Sequence, residues 1–122
     1  MPQFRALASS APVRSQPSLK KPFAGTIETA VAAAFGVPVH ELRAPTRRTA
    51  TVALARQCVM YLAHTTLGWS QATVGAVCGR NRRTVAHGCR LIEERRENAA
   101  FDALLVGLEE TLSRQFYEGN EA

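Results

Sequence analysis

The sequence predicts an all-α fold, and three observations carry that expectation. Alanine is plentiful while aromatic residues make up only 7% of the chain, a balance that favours helix over sheet. Apolar side chains recur at steps of three and four, the spacing that lines one face of a helix. Glycines and short polar residues separate these runs, at the places where helices start and stop. With 122 residues, 46% of them hydrophobic, the chain suits one small core and a tail.

Residues 1–24 read as the tail. Pro2, Pro12, Pro17 and Pro22 alternate with serines, and there are cations but no acid, the composition of a flexible basic linker. The domain is expected over residues 25–118. Its first helix should run from Ile27 to Phe35, capped by Gly25 or Thr26, with Ile27, Val31, Ala34 and Phe35 on one face and Gly36 as the stop. A short helical turn at Val39 to Leu42 follows and ends before Pro45. The next helix should span Thr49 to Thr66, where Val52, Ala55, Val59, Leu62, Ala63 and Thr66 form one apolar stripe with Arg56 and Gln57 beside it, partly exposed. Gly68 breaks that helix and Trp69 packs just ahead of the next one.

Two short, nearly adjacent helices come next. Ser70 caps "QATVGAVC", which should bury Val74, Val77 and Cys78 and close on Gly79 in the left-handed conformation. Asn81 caps a helix reaching to Asn98, with Val85, Cys89 and Ile92 inward and "EERREN" as an ordinary solvated face. The final helix, "FDALLVGLEETLSRQF", turns Leu104, Leu105, Leu108 and Leu112 to the core.

The net charge of +5 conceals a stronger pattern. From Arg43 to Arg90 there are eight arginines and no acid, whereas residues 99–122 are acidic. Such a cationic block attracts a polyanion at long range. Arginine in place of lysine suits two-pronged contacts with phosphate or base edges. The three cysteines are widely spaced without a C-x-x-C pair, which predicts reduced, partly buried thiols and no metal site. No apolar run reaches membrane-spanning length and the N-terminus lacks the apolar core of a secretory signal, so a cytoplasmic protein is expected.

A helix, a short turn containing glycine and a second helix make the helix-turn-helix pattern. By itself the pattern is weak, but charge sharpens it. Arg80 lies in the turn and Arg82 and Arg83 open the second helix. Cations at a helix N-terminus oppose the macrodipole, by roughly 0.3–1 kcal/mol each when exposed. In a helix-turn-helix this end of the second helix meets base edges in the major groove, where phosphate relieves the repulsion and arginine pairs with guanine.

"VALARQCVMYLAHTTLGWSQATVGAVCGRNRRTVAHGCRLIEERREN" resembles the C-terminal DNA-binding domain of the bacterial chromosomal replication initiator DnaA, and "VAAAFGVPVHELRAPTRR" fits the part that precedes it. The resemblance covers about residues 26–115, with "ARQ", "S-x-x-x-V-G" and "TV-x-H-x-C-R-x-I-E" as its most specific pieces. It implies a Trp-repressor-like helical fold that binds short boxes in double-stranded DNA. It implies that Arg48, with Arg47 beside it, belongs to a basic loop entering the minor groove, and that Arg56 and Gln57 are the "RQ" pair near the major groove. By the same resemblance Asn81, Arg82, Arg83 and Thr84 hold the places of a "D-H-T-T" recognition signature, with His87 supporting a phosphate contact or packing. Arg80 and Arg90 complete the expected DNA-binding set. This chain departs from the family in having one glycine, Gly79, before the signature and Asn-Arg-Arg in place of Asp-His-Thr, which shifts what the helix reads toward guanine and strengthens phosphate attraction.

The sequence contains no G-x-x-x-x-G-K-[ST] motif, so a stand-alone DNA-binding domain without a nucleotide cofactor is expected, acting as a transcriptional regulator or as a competitor for initiator boxes. Its partners would be double-stranded DNA and other DNA-bound regulators, and no membrane. The alternatives are a non-specific architectural nucleic-acid binder and a protein-interaction module using the last leucine stripe. An enzyme is not expected, since there is no paired-carboxylate, nucleophile–base or metal constellation.

Overall fold

The computed structural model describes residues 20–44 and 49–118, and among these every regular element is helical. Six α-helices follow in order: α1 (Lys21–Phe35), α2 (Val39–Arg43), α3 (Ala50–Thr66), α4 (Gln71–Cys78), α5 (Arg82–Arg95) and α6 (Ala99–Ser113), the last running into a π-helical turn at Arg114–Glu118.

The first helix starts at Lys21, ahead of the expected Ile27. Pro22 sits in its first turn, where the missing N–H has no intrahelical partner to lose and the fixed φ already suits a helix. Ala24 is buried there, so the folded region reaches back past residue 25. The rest of the expected tail, residues 1–19, lies outside the described residues. At the other end Gly36 adopts φ 67° and the Val37 N–H bonds the Ala32 carbonyl at 3.0 Å, closing the helix in a Schellman arrangement. Of the stripe expected on this helix, Ile27 and Val31 are fully buried, Phe35 is half-buried and Ala34 is exposed.

Helix α3 is the axle of the domain, in contact with every other helix. Thr49 caps it, its hydroxyl accepting from the Val52 N–H at 3.2 Å. The apolar stripe is wider than expected: Cys58, Met60 and Tyr61 are buried beside Val52, Ala55, Val59, Leu62 and Ala63. A helix surrounded by partners buries most of its circumference. Ile92 of α5 and Leu105 and Leu112 of α6 are fully buried against this axle, with Leu108 nearly so and Leu104 packed at the edge.

The run "EERREN" is more than a solvated face. The turn at residues 96–98 folds α6 back, and Asn98 caps α6 by accepting from the Phe101 N–H at 2.9 Å. Acids well beyond the run thereby face Arg96. Its Nε donates to Asp102 at 2.6 Å, Nη1 and Nη2 donate to Glu109 at 2.9 and 3.3 Å, and Nη1 also donates to the Tyr61 hydroxyl at 3.1 Å. That hydroxyl donates to Glu93 at 2.7 Å. One guanidinium thus joins α3, α5 and α6. Its hydrogen bonds to Glu109 hold it protonated more firmly than an ordinary arginine. Burial, then the bond to Glu93, pushes Tyr61 up to about 12. Beyond α6, Phe116 is buried and the Tyr117 hydroxyl donates to the Thr66 carbonyl at 2.8 Å, tying the π-helical turn to the end of α3.

Candidate nucleic-acid interface

Helices α4 and α5 and the turn between them are built from local signals. The Ser70 hydroxyl accepts from the Thr73 N–H at 3.1 Å and starts α4. Gly79 ends it at φ 69°, and the Arg80 N–H bonds the Gly75 carbonyl at 2.8 Å. The chain doubles back so tightly that a Cβ on Gly75 would stand 2.6 Å from the Arg80 carbonyl oxygen. Only glycine fits that approach. Asn81 starts α5, its Oδ1 accepting from the Arg83 N–H at 2.7 Å and the Thr84 N–H at 3.2 Å.

The inner face of α5 carries Val85, Gly88, Cys89 and Ile92, all buried. Gly88 is a second close approach: a Cβ there would meet Gln57 Cγ and Met60 Cε at 3.3 Å each. Helix α5 therefore lies hard against α3, with Gln57 half-buried at the seam. The signal in the sequence is a glycine on the inner face of an otherwise regular helical run.

The outer face carries the cations. Arg82, Arg83 and Thr84 are exposed in the first turn. Arg83, His87 and Arg90 share one face at steps of four and three, opposite Val85 and Ile92, and Arg90 Nη2 donates to His87 Nδ1 at 3.1 Å. Among the described residues, ion pairs join Arg43 to Glu28 and Arg96 to Asp102 and Glu109, and none includes Arg82, Arg83 or Arg90. This end of the domain is left cationic, pointing the positive end of a helix dipole outward together with its arginines.

The remaining expected residues are placed differently. The carbonyl of the Asn81 side chain is taken up by its capping bonds. Arg80 is half-buried and its Nη2 donates to the Ala44 carbonyl at 3.1 Å, while Arg56 Nη2 donates to the Glu41 carbonyl at 3.0 Å. Both guanidinium groups hold the end of α2, 36 and 15 residues away in the chain, which no local pattern reveals. Beside them a cleft of about 410 Å³ opens between α1, α3 and α4, with Lys21 and the Arg43–Glu28 pair on its wall. Arg47 and Arg48 lie outside the described residues.

The model of the family described as bacterial DnaA protein helix-turn-helix matches residues 24–92, which hold α1 to α5 almost entire. The chain belongs to the bacterial DnaA helix-turn-helix family. It is similar to the chromosomal replication initiator protein DnaA 2 of Chlamydia muridarum, 39% identical over 89 residues that make up 73% of this chain and 19% of that protein. DnaA 1 of Protochlamydia amoebophila is 40% identical over 85 residues, 70% of this chain and 16% of that protein. DnaA of Porphyromonas gingivalis is 33% identical over 89 residues, 71% and 19% of the two chains. The chain thus spans about a fifth of the length of these DnaA relatives.

Burial pushes the Cys58 thiol up to about 12 and Cys78 up to about 11, and raises Cys89 as well. Thiols held protonated this firmly are poor nucleophiles and poor metal ligands. Among the described residues, no group of three or more His, Cys, Asp or Glu side chains comes together to hold a metal, and no helix is long and apolar enough to cross a membrane.

Proposed function

We propose that this chain binds duplex DNA, placing the N-terminal turn of α5 in the major groove, and that it acts by occupying sites rather than by catalysis. The observation that carries this reading is the cluster of exposed arginines, without acidic partners among the described residues, at the one helix end where a helix-turn-helix meets base edges. Membership of a DnaA helix-turn-helix family points to DNA binding independently. In this reading Arg82 and Arg83 contact base edges, Thr84 lies beside them, and His87 with Arg90 faces phosphate one turn further along. Gln57 and Arg56 support the approach from α3, and Arg47 and Arg48 enter the neighbouring minor groove. The role that fits binding alone is regulation on the nucleoid: controlling transcription, or competing with a replication initiator for its boxes.

The test is fluorescence anisotropy with two labelled duplexes, one holding an initiator-type box and one scrambled, each at two salt concentrations. Preference for the box supports competition at initiator sites. Equal and steeply salt-dependent binding to both supports an architectural binder dominated by phosphate contacts, a reading favoured by the arginines at positions 82 and 83. Failure to bind either duplex at low salt would falsify DNA binding.

A further inference from the structure

Residues 41–44 are gripped from three sides. Arg56 of α3 donates to the Glu41 carbonyl at 3.0 Å, Arg43 pairs with Glu28 of α1 at 2.7 Å, and Arg80 donates to the Ala44 carbonyl at 3.1 Å. The third grip differs from the others because Arg80 stands in the turn between α4 and α5, immediately ahead of the Asn81 cap. Its own backbone is already fixed by the bond to the Gly75 carbonyl and by the close approach of Gly75 to its carbonyl oxygen. A side chain anchored at both ends acts as a strut. This one runs from the base of α5 to the end of α2, where Ala44 is buried.

We propose that Arg80 is a positioning residue for the recognition end of α5, acting through its bond to the Ala44 carbonyl rather than as a contact to DNA phosphate. This rests on the proposed DNA-binding role of α5. The first turn of α5 projects from the domain with its side chains exposed, and the inner face that holds the helix starts only at Val85. Ahead of Val85 the orientation depends on the turn, and Arg80 is the side chain of that turn which bonds to an element outside the helix pair. Base-edge readout tolerates little misplacement, whereas phosphate attraction tolerates much. Loss of the strut therefore removes discrimination and leaves general affinity.

The experiment compares the wild-type chain with Arg80→Met, which keeps the apolar stem and its packing while removing the donor. The preferred duplex should bind about tenfold more weakly, a change of about 1.4 kcal/mol. The scrambled duplex should change by less than about twofold, and the slope of log affinity against log salt should be retained. A uniform loss on both duplexes, with the slope falling by about one, would instead make Arg80 a phosphate contact and overturn the proposal. Hydrogen exchange without DNA provides a second arm. Faster exchange in Arg80→Met at residues 41–44 and 79–85 is expected, and unchanged exchange there overturns the strut. If the wild-type chain prefers neither duplex, it is the sequence-specific reading of α5 that fails, and the exchange arm decides the strut on its own.

Discussion

The two ends of α5 carry the same residues to opposite effect. Arg82 and Arg83 open the helix, where they oppose the dipole, face solvent and pair with no acid among the described residues. Arg95 and Arg96 close it, where cations suit the dipole. Arg95 lies over the Phe101 ring at 5.7 Å, and Arg96 bonds Asp102, Glu109 and Tyr61. One end contributes to stability and the other is kept available at stability's expense. Arginine in a sequence therefore says little until its partners are known.

The largest loss is expected where backbone is involved. Gly75→Ala drives a Cβ into the Arg80 carbonyl, and a clash with backbone is relieved only by moving the turn. It should cost about 3 kcal/mol in a urea titration and abolish duplex binding together with it. Arg96→Ala should come next, at about 2 kcal/mol, because Asp102, Glu109 and Tyr61 lose a shared donor that is mostly buried. Measured well below its melting range, that variant should bind duplex within about twofold of wild type, since the opposite end of α5 is untouched.

Replacing Arg82 and Arg83 together by alanine should invert this pattern. Duplex affinity should fall more than about tenfold. Stability should rise by about 0.5–1 kcal/mol as the repulsion from the dipole is relieved. A drop in stability, read by thermal melting, would show that these arginines hold the fold rather than DNA. A last effect is confined to alkali and leaves stability near neutral pH unchanged. Tyr61 and Cys58 are both raised to about 12 in the fold, from ordinary values of 10.0 and 9.0. Each is bound to its proton more tightly in the native state than in the unfolded chain. Their contribution is complete below pH 9 and is lost as pH rises from there toward 12, so the urea midpoint should decline across that window. Tyr61→Phe should flatten the part of the decline above pH 10.

Much of the helix-turn-helix was legible because its determinants are local. Ser70, Gly79 and Asn81 act on groups within five residues, and each caps or closes the helix it was expected to. The stripe Val85, Cys89 and Ile92 fell inward as its spacing required. The start of α1 is hidden because Pro22 follows a run of prolines and serines and reads as linker, although proline is also at home in a first helical turn. The Arg96 junction was not legible, since its acids stand six and thirteen residues on and its tyrosine 35 residues back. The same distance hid what Arg56 and Arg80 touch. The sequence marked them as cations near the site, while the fold turns them onto backbone carbonyls.

The cap on α5 also divides the start of that helix into a constrained letter and two unconstrained ones. Asn81 caps through a short oxygen-bearing side chain, so its alphabet is narrowed toward Asn, Asp, Ser and Thr. Positions 82 and 83 follow directly, exposed and without a structural duty, and nearly any residue that tolerates a helix would fold there. If α5 reads DNA as proposed, a new DNA site is within reach of two codons, and a library randomised at those two positions would test this without spoiling the scaffold.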